Sequence, residues 1–361
     1  MSETYTVRLV PVDVEFEVEE DETILDAAFR QGIALPHGCK EGQCSACKSI
    51  LLDGEVELKK YSTFALSETE RDTDHILLCR ALVDTDVEVE LLNFDEELLS
   101  KSIAVKSFDG TITGIEKLTH DIRQVNITLD GSLKFWAGQY VDITVTTSEE
   151  ETITRSFSMA NTPGETQELK FIIKKYADGK FSSQLDEGGI KVGARVSAKG
   201  PYGSCFRRED RQGPMILVGA GSGMSPVWSI LNDHIASGEQ RDVYFFYGAR
   251  TRGDLFYLEK IDQLVAANSD LTFVPVLSEA ADDADWTGEK GFVHEVVDAH
   301  LKRLDLDGEG DVYACGPPPM IDALMPVLFM NDFDTDRTFF DKFTPSNEAV
   351  APGIQLLSAN P

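Results

Sequence analysis

The stretch Cys39-Lys-Glu-Gly-Gln-Cys44-Ser-Ala-Cys47, answered by Cys79 after Leu77 and Leu78, decides the N-terminal part of the chain. Three thiols spaced by four and then two residues, with a fourth far downstream, match the plant-type spacing of a 2Fe-2S cluster. Four sulfurs must converge on two irons, so most ligands come from one tight loop whose N–H groups also turn toward sulfur. Gly38, Gly42, Ser45 and Ala46 leave room for that loop. Cys39, Cys44, Cys47 and Cys79 are therefore the expected metal ligands. Structural zinc more typically uses two short-spaced Cys pairs. Disulfides need an oxidising compartment, and the opening MSETYTVRLV lacks the parts of a secretory signal. Reduced thiols in the cytoplasm are expected.

Outward from the loop, alternating Tyr5, Val7, Leu9 and Val14, Phe16, Val18 predict a hairpin around Pro11 to Asp13. Thr23 to Arg30 reads as a short helix with Asp21 as N-cap. Ser49 to Leu52 reads as a strand turning at Asp53-Gly54, and Val87, Val89 and Leu91 as a closing strand. The polar run NFDEELLSKS, Asn93 to Ser102, separates this small α+β unit from a β-rich segment. There Ile112 to Ile115, Ile122 to Leu129, Tyr140 to Val145, Phe157 to Ala160, Leu169 to Ile173 and Ala194 to Ala198 predict six antiparallel strands, with a short helix near Phe181 to Leu185. From about residue 209 strands and helices alternate. Strands are expected at Ile216 to Val218, Val243 to Tyr247, Leu271 to Val276 and Val312 to Cys315. Helices are expected at Pro226 to Ser237, Leu255 to Ala267, Val293 to Arg303 and Pro318 to Met330, the last weakened by Pro326. That alternation implies a parallel sheet covered on both faces.

The 361 residues suffice for two or three domains, and no apolar run approaches the ~20 residues that span a bilayer. A formal charge of −30 argues against nucleic acid and against anionic membrane surfaces, which need clustered Lys and Arg. From Met1 to Asp95 there are 22 Asp and Glu against 8 Lys and Arg. That excess serves solubility or a docking surface for a basic partner.

Two further motifs carry chemistry. Val218-Gly-Ala-Gly221-Ser-Gly223-Met-Ser225-Pro226 joins a strand to a helix, where glycines let a dinucleotide pyrophosphate approach the helix N-terminus. Pro226 replaces the third glycine of the usual fingerprint. Tyr313-Ala-Cys315-Gly316-Pro317-Pro318-Pro319-Met320 closes another strand of the same sheet, so both motifs are expected to line one crevice. Arg155-Ser-Phe157-Ser158 offers a cation, an aromatic ring and a hydroxyl for a phosphate and a flat hydrogen-bonding ring. Lys174 to Ser183, with Gly179 and Ser182, suits a diphosphate, and Gly200-Pro201-Tyr202-Gly203 is a close-approach turn.

With these motifs in order, the chain resembles the reductase components of bacterial multicomponent oxygenases, most of all those of soluble diiron propane, alkane and methane monooxygenases. The likeness runs from Thr4 to Phe343. It implies a plant-type ferredoxin of β-grasp fold (1–95), a linker (96–102), an antiparallel β-barrel FAD domain (103–208), an α/β NAD domain (209–343) and a flexible tail (344–361). It implies that Arg155 meets the FAD pyrophosphate, Phe157 packs near the flavin, Ser158 bonds near flavin N5, and Gly179, Ser182 and Gly200 border the FAD. Gly221, Gly223 and Pro226 would frame the NAD pyrophosphate. Cys315, Gly316 and Pro317 would border the nicotinamide, and Phe343 would be the terminal aromatic. Phe157 stands where relatives often have Tyr, and Asp341 where they often have Glu. Arg250 and Arg252 suit a 2′-phosphate and Asp254 a ribose diol; the resemblance favours NADH. NADH gives two electrons and a 2Fe-2S cluster accepts one at a time, so a flavin belongs between them. The expected acceptor is an oxygenase. A benzoate-type dioxygenase reductase and a non-catalytic redox sensor or electron store are the rival expectations.

Overall fold

The computed structural model describes residues 4–146, 151–164, 167–185, 189–280, 283–304, 306 and 308–343. The expected tail at 344–361 lies outside the described residues.

The N-terminal sheet runs in the order Val14–Glu19, Thr4–Val10, Val87–Leu91, Lys48–Asp53, His75–Leu77. Its one parallel pairing sets Thr4–Val10 beside Val87–Leu91. Alternation along Thr4–Val10 puts Val7 and Leu9, both fully buried, against Phe16, Val18 and the helix Ile24–Arg30. That helix is capped by Thr23, not Asp21. Thr23 is extended and its hydroxyl accepts from the Asp26 N–H, whereas Asp21 sits at φ 67° in the preceding turn.

Six antiparallel strands follow in the order Thr152–Ser158, Tyr140–Thr146, Arg195–Tyr202, Lys106–Lys117, Ile122–Leu129, Glu168–Lys174. A bridge between Met159 and Phe171 joins the two outer strands, so the sheet curls toward closure around Ile143, Phe171 and Phe181. The strand expected at Phe157 to Ala160 is instead Thr152–Ser158. Its outward Thr, Arg and Ser residues hid it from a search for apolar runs.

The third sheet is wholly parallel, in the order Glu289–Lys290, Leu271–Leu277, Val243–Ala249, Met215–Ala220, Asp311–Gly316, Thr338–Lys342. Its central strands are continuous apolar runs because helices cover both faces. Met224–Ser237 and Leu258–Ala267 pack with Leu217 and Phe245, and Val293–Leu304 and Pro318–Met330 with Val218 and Phe246. Pro326 does not end its helix. Leu258–Ala267 starts three residues later than expected, because Asp254 closes a turn with Thr251 first. The edge strand Thr338–Lys342 was not read from sequence, its charged and aromatic residues showing no strand period.

Within the segment expected as a linker, 96–102, lies a short helix that is held in place. Asp95 caps the helix Glu96–Ser100 and also reaches the buried Arg208 at 2.5 Å. Glu97 pairs with Arg211 and Lys101 with Glu209, each at 2.9 Å. The Arg208 guanidinium lies over Phe206 and Phe339.

Candidate functional site

The cysteine loop brings its four thiols together as two pairs. Cys47 and Cys79 Sγ are 3.3 Å apart, and Cys44 Sγ accepts from the Cys39 N–H at 3.4 Å. Glu41 and Gln43 N–H groups point at Cys39 Sγ, at 3.4 and 3.2 Å. A hydrogen bond with Cys44 holds the Cys39 thiol down to about 5, and one with Cys79 likewise lowers Cys47. Two glycines are required here. A Cβ at Gly42, which has φ 70°, would meet Arg80 and Tyr61 at 2.9 Å, and one at Gly38 would meet Cys44 Sγ at 3.0 Å. Two thiol pairs ringed by N–H donors fit a two-iron cluster, one pair to each iron.

Lys40, between two of these cysteines, turns to the barrel. Its ammonium is 2.6 Å from Asp142 and 3.4 Å from the centroid of the Tyr202 ring. His37 Nδ1–H donates to the Leu35 carbonyl, which leaves Nε2 to accept from the Gly203 N–H at 3.3 Å. Burial pushes that imidazole down to about 4, so the ring is neutral at pH 7. These contacts set the cysteine loop on the strand ends Tyr140 and Tyr202.

On the barrel, Arg155 and Phe157 share one face of their strand. Arg155 donates to the Thr154 carbonyl, and Phe157 packs 4.9 Å from Phe181. Ser158 is buried, and its carbonyl accepts from Ser225 Oγ at 2.6 Å; Ser225 in turn accepts from the Ile172 N–H. A Cβ at Gly179 would meet Ser182 Oγ at 2.4 Å, so the two lie in one tight turn. The close approach at Gly200 is to Val141 within the barrel, 2.7 Å from such a Cβ.

In the parallel sheet, Gly221 has φ 56° and open space beside it, just before the helix Met224–Ser237 that contains Pro226. Gly223 lies against the other motif: a Cβ there would sit 2.1 Å from the Cys315 carbonyl oxygen. Gly316 is buried beside Met320, Pro317 caps the helix Pro318–Met330, and the Phe343 N–H donates to the Gly316 carbonyl at 2.9 Å. The two turns thus meet at the carboxyl ends of adjacent strands. The edge strand brings Asp341 to this place, where burial raises the carboxyl to about 7. Arg250 is exposed and 4.0 Å from Asp254, Arg252 pairs with Asp283, and Asp254 also accepts from the Thr251 hydroxyl. The Gly223→Ala variant is expected to lose about a hundredfold in the rate of flavin reduction by NADH, by parting the two turns. Stopped-flow flavin bleaching measures it, and an unchanged rate would refute the contact.

Lys40, Ser225 and Asp142 were invisible as site residues in the sequence. Each matters through a partner on another element, and no local spacing marks that.

Family models match residues 7–84 as a 2Fe-2S iron-sulfur cluster binding domain, 109–206 as an oxidoreductase FAD-binding domain and 217–325 as an oxidoreductase NAD-binding domain. The reductase component of propane 2-monooxygenase from Mycolicibacterium goodii is 43% identical over 349 residues, covering 95% of this chain and 98% of its own length. The chain belongs to the monooxygenase reductase components. The phenol 2-monooxygenase reductase component DmpP of Pseudomonas sp. (strain CF600) is 35% identical, covering 94% of each chain. The Amycolatopsis cytochrome P450 reductase GcoB superposes with a TM-score of 0.83 at 28% identity, covering 94% of this chain and 99% of its own. This reductase is an oxidoreductase that passes electrons from NADH through FAD and a 2Fe-2S cluster. No helix among its described residues is long and apolar enough to cross a membrane.

Proposed function

We propose that this reductase serves a soluble diiron monooxygenase of the propane or alkane type. The near full-length likeness to propane 2-monooxygenase reductase components carries that reading. Reconstitution with a diiron hydroxylase and, separately, a Rieske dioxygenase tests it. Coupled product formation is expected only with the first; turnover with the dioxygenase alone would replace this reading by the aromatic-ring one.

Within that function, Cys39, Cys44, Cys47 and Cys79 hold the cluster, and the N–H groups of Glu41 and Gln43 stabilise negative charge on sulfur. Arg155, Gly179 and Ser182 bind the FAD diphosphate, with Phe157 and Ser158 at the ring. Gly200 supports the barrel wall behind it. Gly221, Gly223 and Pro226 place the dinucleotide pyrophosphate at a helix start, and Cys315, Gly316, Pro317 and Phe343 wall the nicotinamide. A bound flavin supplies the conversion from hydride to single electrons. The chain's own groups position and shield, and none needs to act as acid or base. Family likeness favours NADH over NADPH, and the exposed Arg250, the candidate for a 2′-phosphate, lies 4.0 Å from the Asp254 carboxylate. None of the six cysteines is paired in a disulfide, which supports a cytoplasmic setting.

The partner docks, on this reading, at the cluster face. Phe64 is 93% exposed there, on a loop tied to the cluster loop by the Ser62 N–H to Gly42 carbonyl bond. Around it lies the acidic N-terminal domain. Electron delivery to the oxygenase is expected to slow as salt rises from about 0.05 to 0.5 M. Phe64→Ala is expected to weaken docking by about 2 kcal/mol, a 30-fold loss in apparent affinity for the oxygenase. Steady-state titration at several salt concentrations measures both; insensitivity to both would move docking elsewhere.

A further inference from the structure

Cys205, Cys315 and Asp341 come from three separate places: the loop after the barrel strand Arg195–Tyr202, the end of Asp311–Gly316, and the edge strand Thr338–Lys342. The two sulfurs and a carboxylate oxygen lie within 4.8 Å of one another, and both thiols are buried. Among the described residues, the Asp341 carboxylate has no hydrogen bond or ion pair to a side chain. Asp341 is half-buried, so its carboxylate has given up part of its hydration with no cation beside it.

The sulfur pair has a telling separation of 3.7 Å. A disulfide bond is ~2.05 Å long, so the thiols are not bonded to each other. Two sulfurs each ~2.3 Å from a tetrahedral zinc ion stand about 3.8 Å apart, so this pair needs almost no movement to accept one. Two thiolates and one carboxylate form a donor set that prefers a soft or borderline ion to Mg²⁺ or Ca²⁺. Three protein ligands also leave a fourth position open, unlike a closed structural zinc site.

We propose that Cys205, Cys315 and Asp341 form a binding site for a soft divalent cation, Zn²⁺ or Cd²⁺. As the metal–sulfur bonds form, each thiol releases its proton to solvent, and the metal stays divalent. The ion ties the barrel to the parallel sheet through one residue of the barrel loop and two of the sheet. Because Cys315 stands at the place assigned above to the nicotinamide, occupancy excludes the coenzyme; that clause alone rests on the proposed function.

The test uses the holoprotein, with FAD and cluster in place, and Zn²⁺ or Cd²⁺ alone as probe. One tightly held equivalent is expected after desalting, with a near-ultraviolet cadmium–thiolate band and no loss of the visible cluster absorption. NADH-dependent ferricyanide reduction should fall about tenfold or more and recover with EDTA. Cys205→Ser should hold no extra metal and keep its activity in the presence of Zn²⁺. Cys205→Ala, run in parallel, keeps the comparison if a buried serine hydroxyl disturbs the fold. No extra metal in the wild type, equal uptake by the variants, or uptake only as the cluster absorption bleaches would overturn the site. Binding without inhibition would support the site and overturn the nicotinamide placement.

Discussion

Replacing Cys79 by serine is expected to stop one-electron delivery while sparing the flavin. Cys79 is buried, 3.3 Å from Cys47, and alone among the four thiols it comes from outside the loop. Its neighbours fasten the loop to the domain core: the Leu78 N–H donates to the Cys47 carbonyl, and the Lys59 N–H to the Arg80 carbonyl. A serine hydroxyl is a poor substitute for a thiolate on iron. Turnover with cytochrome c or the oxygenase should fall by about a hundredfold or more. NADH-dependent reduction of ferricyanide, an acceptor able to draw on the flavin, should remain within about twofold. Spectra of the purified variant should keep the flavin bands and lose those of the cluster. Retained cytochrome c activity with no cluster would place the electron exit elsewhere.

Lys40→Met is expected to have the second largest effect, and on a different step. The methionine keeps the apolar stem but leaves Asp142 without its cation, at a contact where both side chains are less than one-fifth exposed. Breaking a pair so enclosed costs about 3 kcal/mol, which lowers the ratio of docked to undocked ferredoxin domain about a hundredfold. Flavin reduction by NADH should be unchanged, and the cluster should still assemble. Flavin-to-cluster transfer, followed at separate wavelengths after rapid mixing, should slow. Asp142→Asn combined with Lys40→Met should slow it no further than Lys40→Met alone, because both changes remove one interaction. Full additivity of the two would mean that the pair does not hold the domains together.

Much of the architecture was legible because each part carries a local signature. Cys39, Cys44 and Cys47 announce themselves by spacing, and Ile216 to Val218 and Val243 to Tyr247 by unbroken apolar runs that only a sheet covered on both faces explains. The strand Thr152–Ser158 lacks an apolar run because its exposed face is polar, and Thr338–Lys342 is a strand through pairing with Asp311–Gly316 and not through composition. Residue type alone suits both Asp21 and Thr23 to a helix cap; backbone conformation decides between them. What no local pattern encodes is contact between domains. Lys40 reads as a solvated charge until Asp142, 102 residues away, is seen beside it.

The clasp at the linker has a mechanical consequence. Asp95, Glu97 and Lys101 all grip the segment Arg208 to Arg211, where the barrel passes into the parallel sheet. The short segment that leaves the N-terminal unit is thereby riveted by three ion pairs to the junction of the other two, so that one polar seam fastens all three units at a single place.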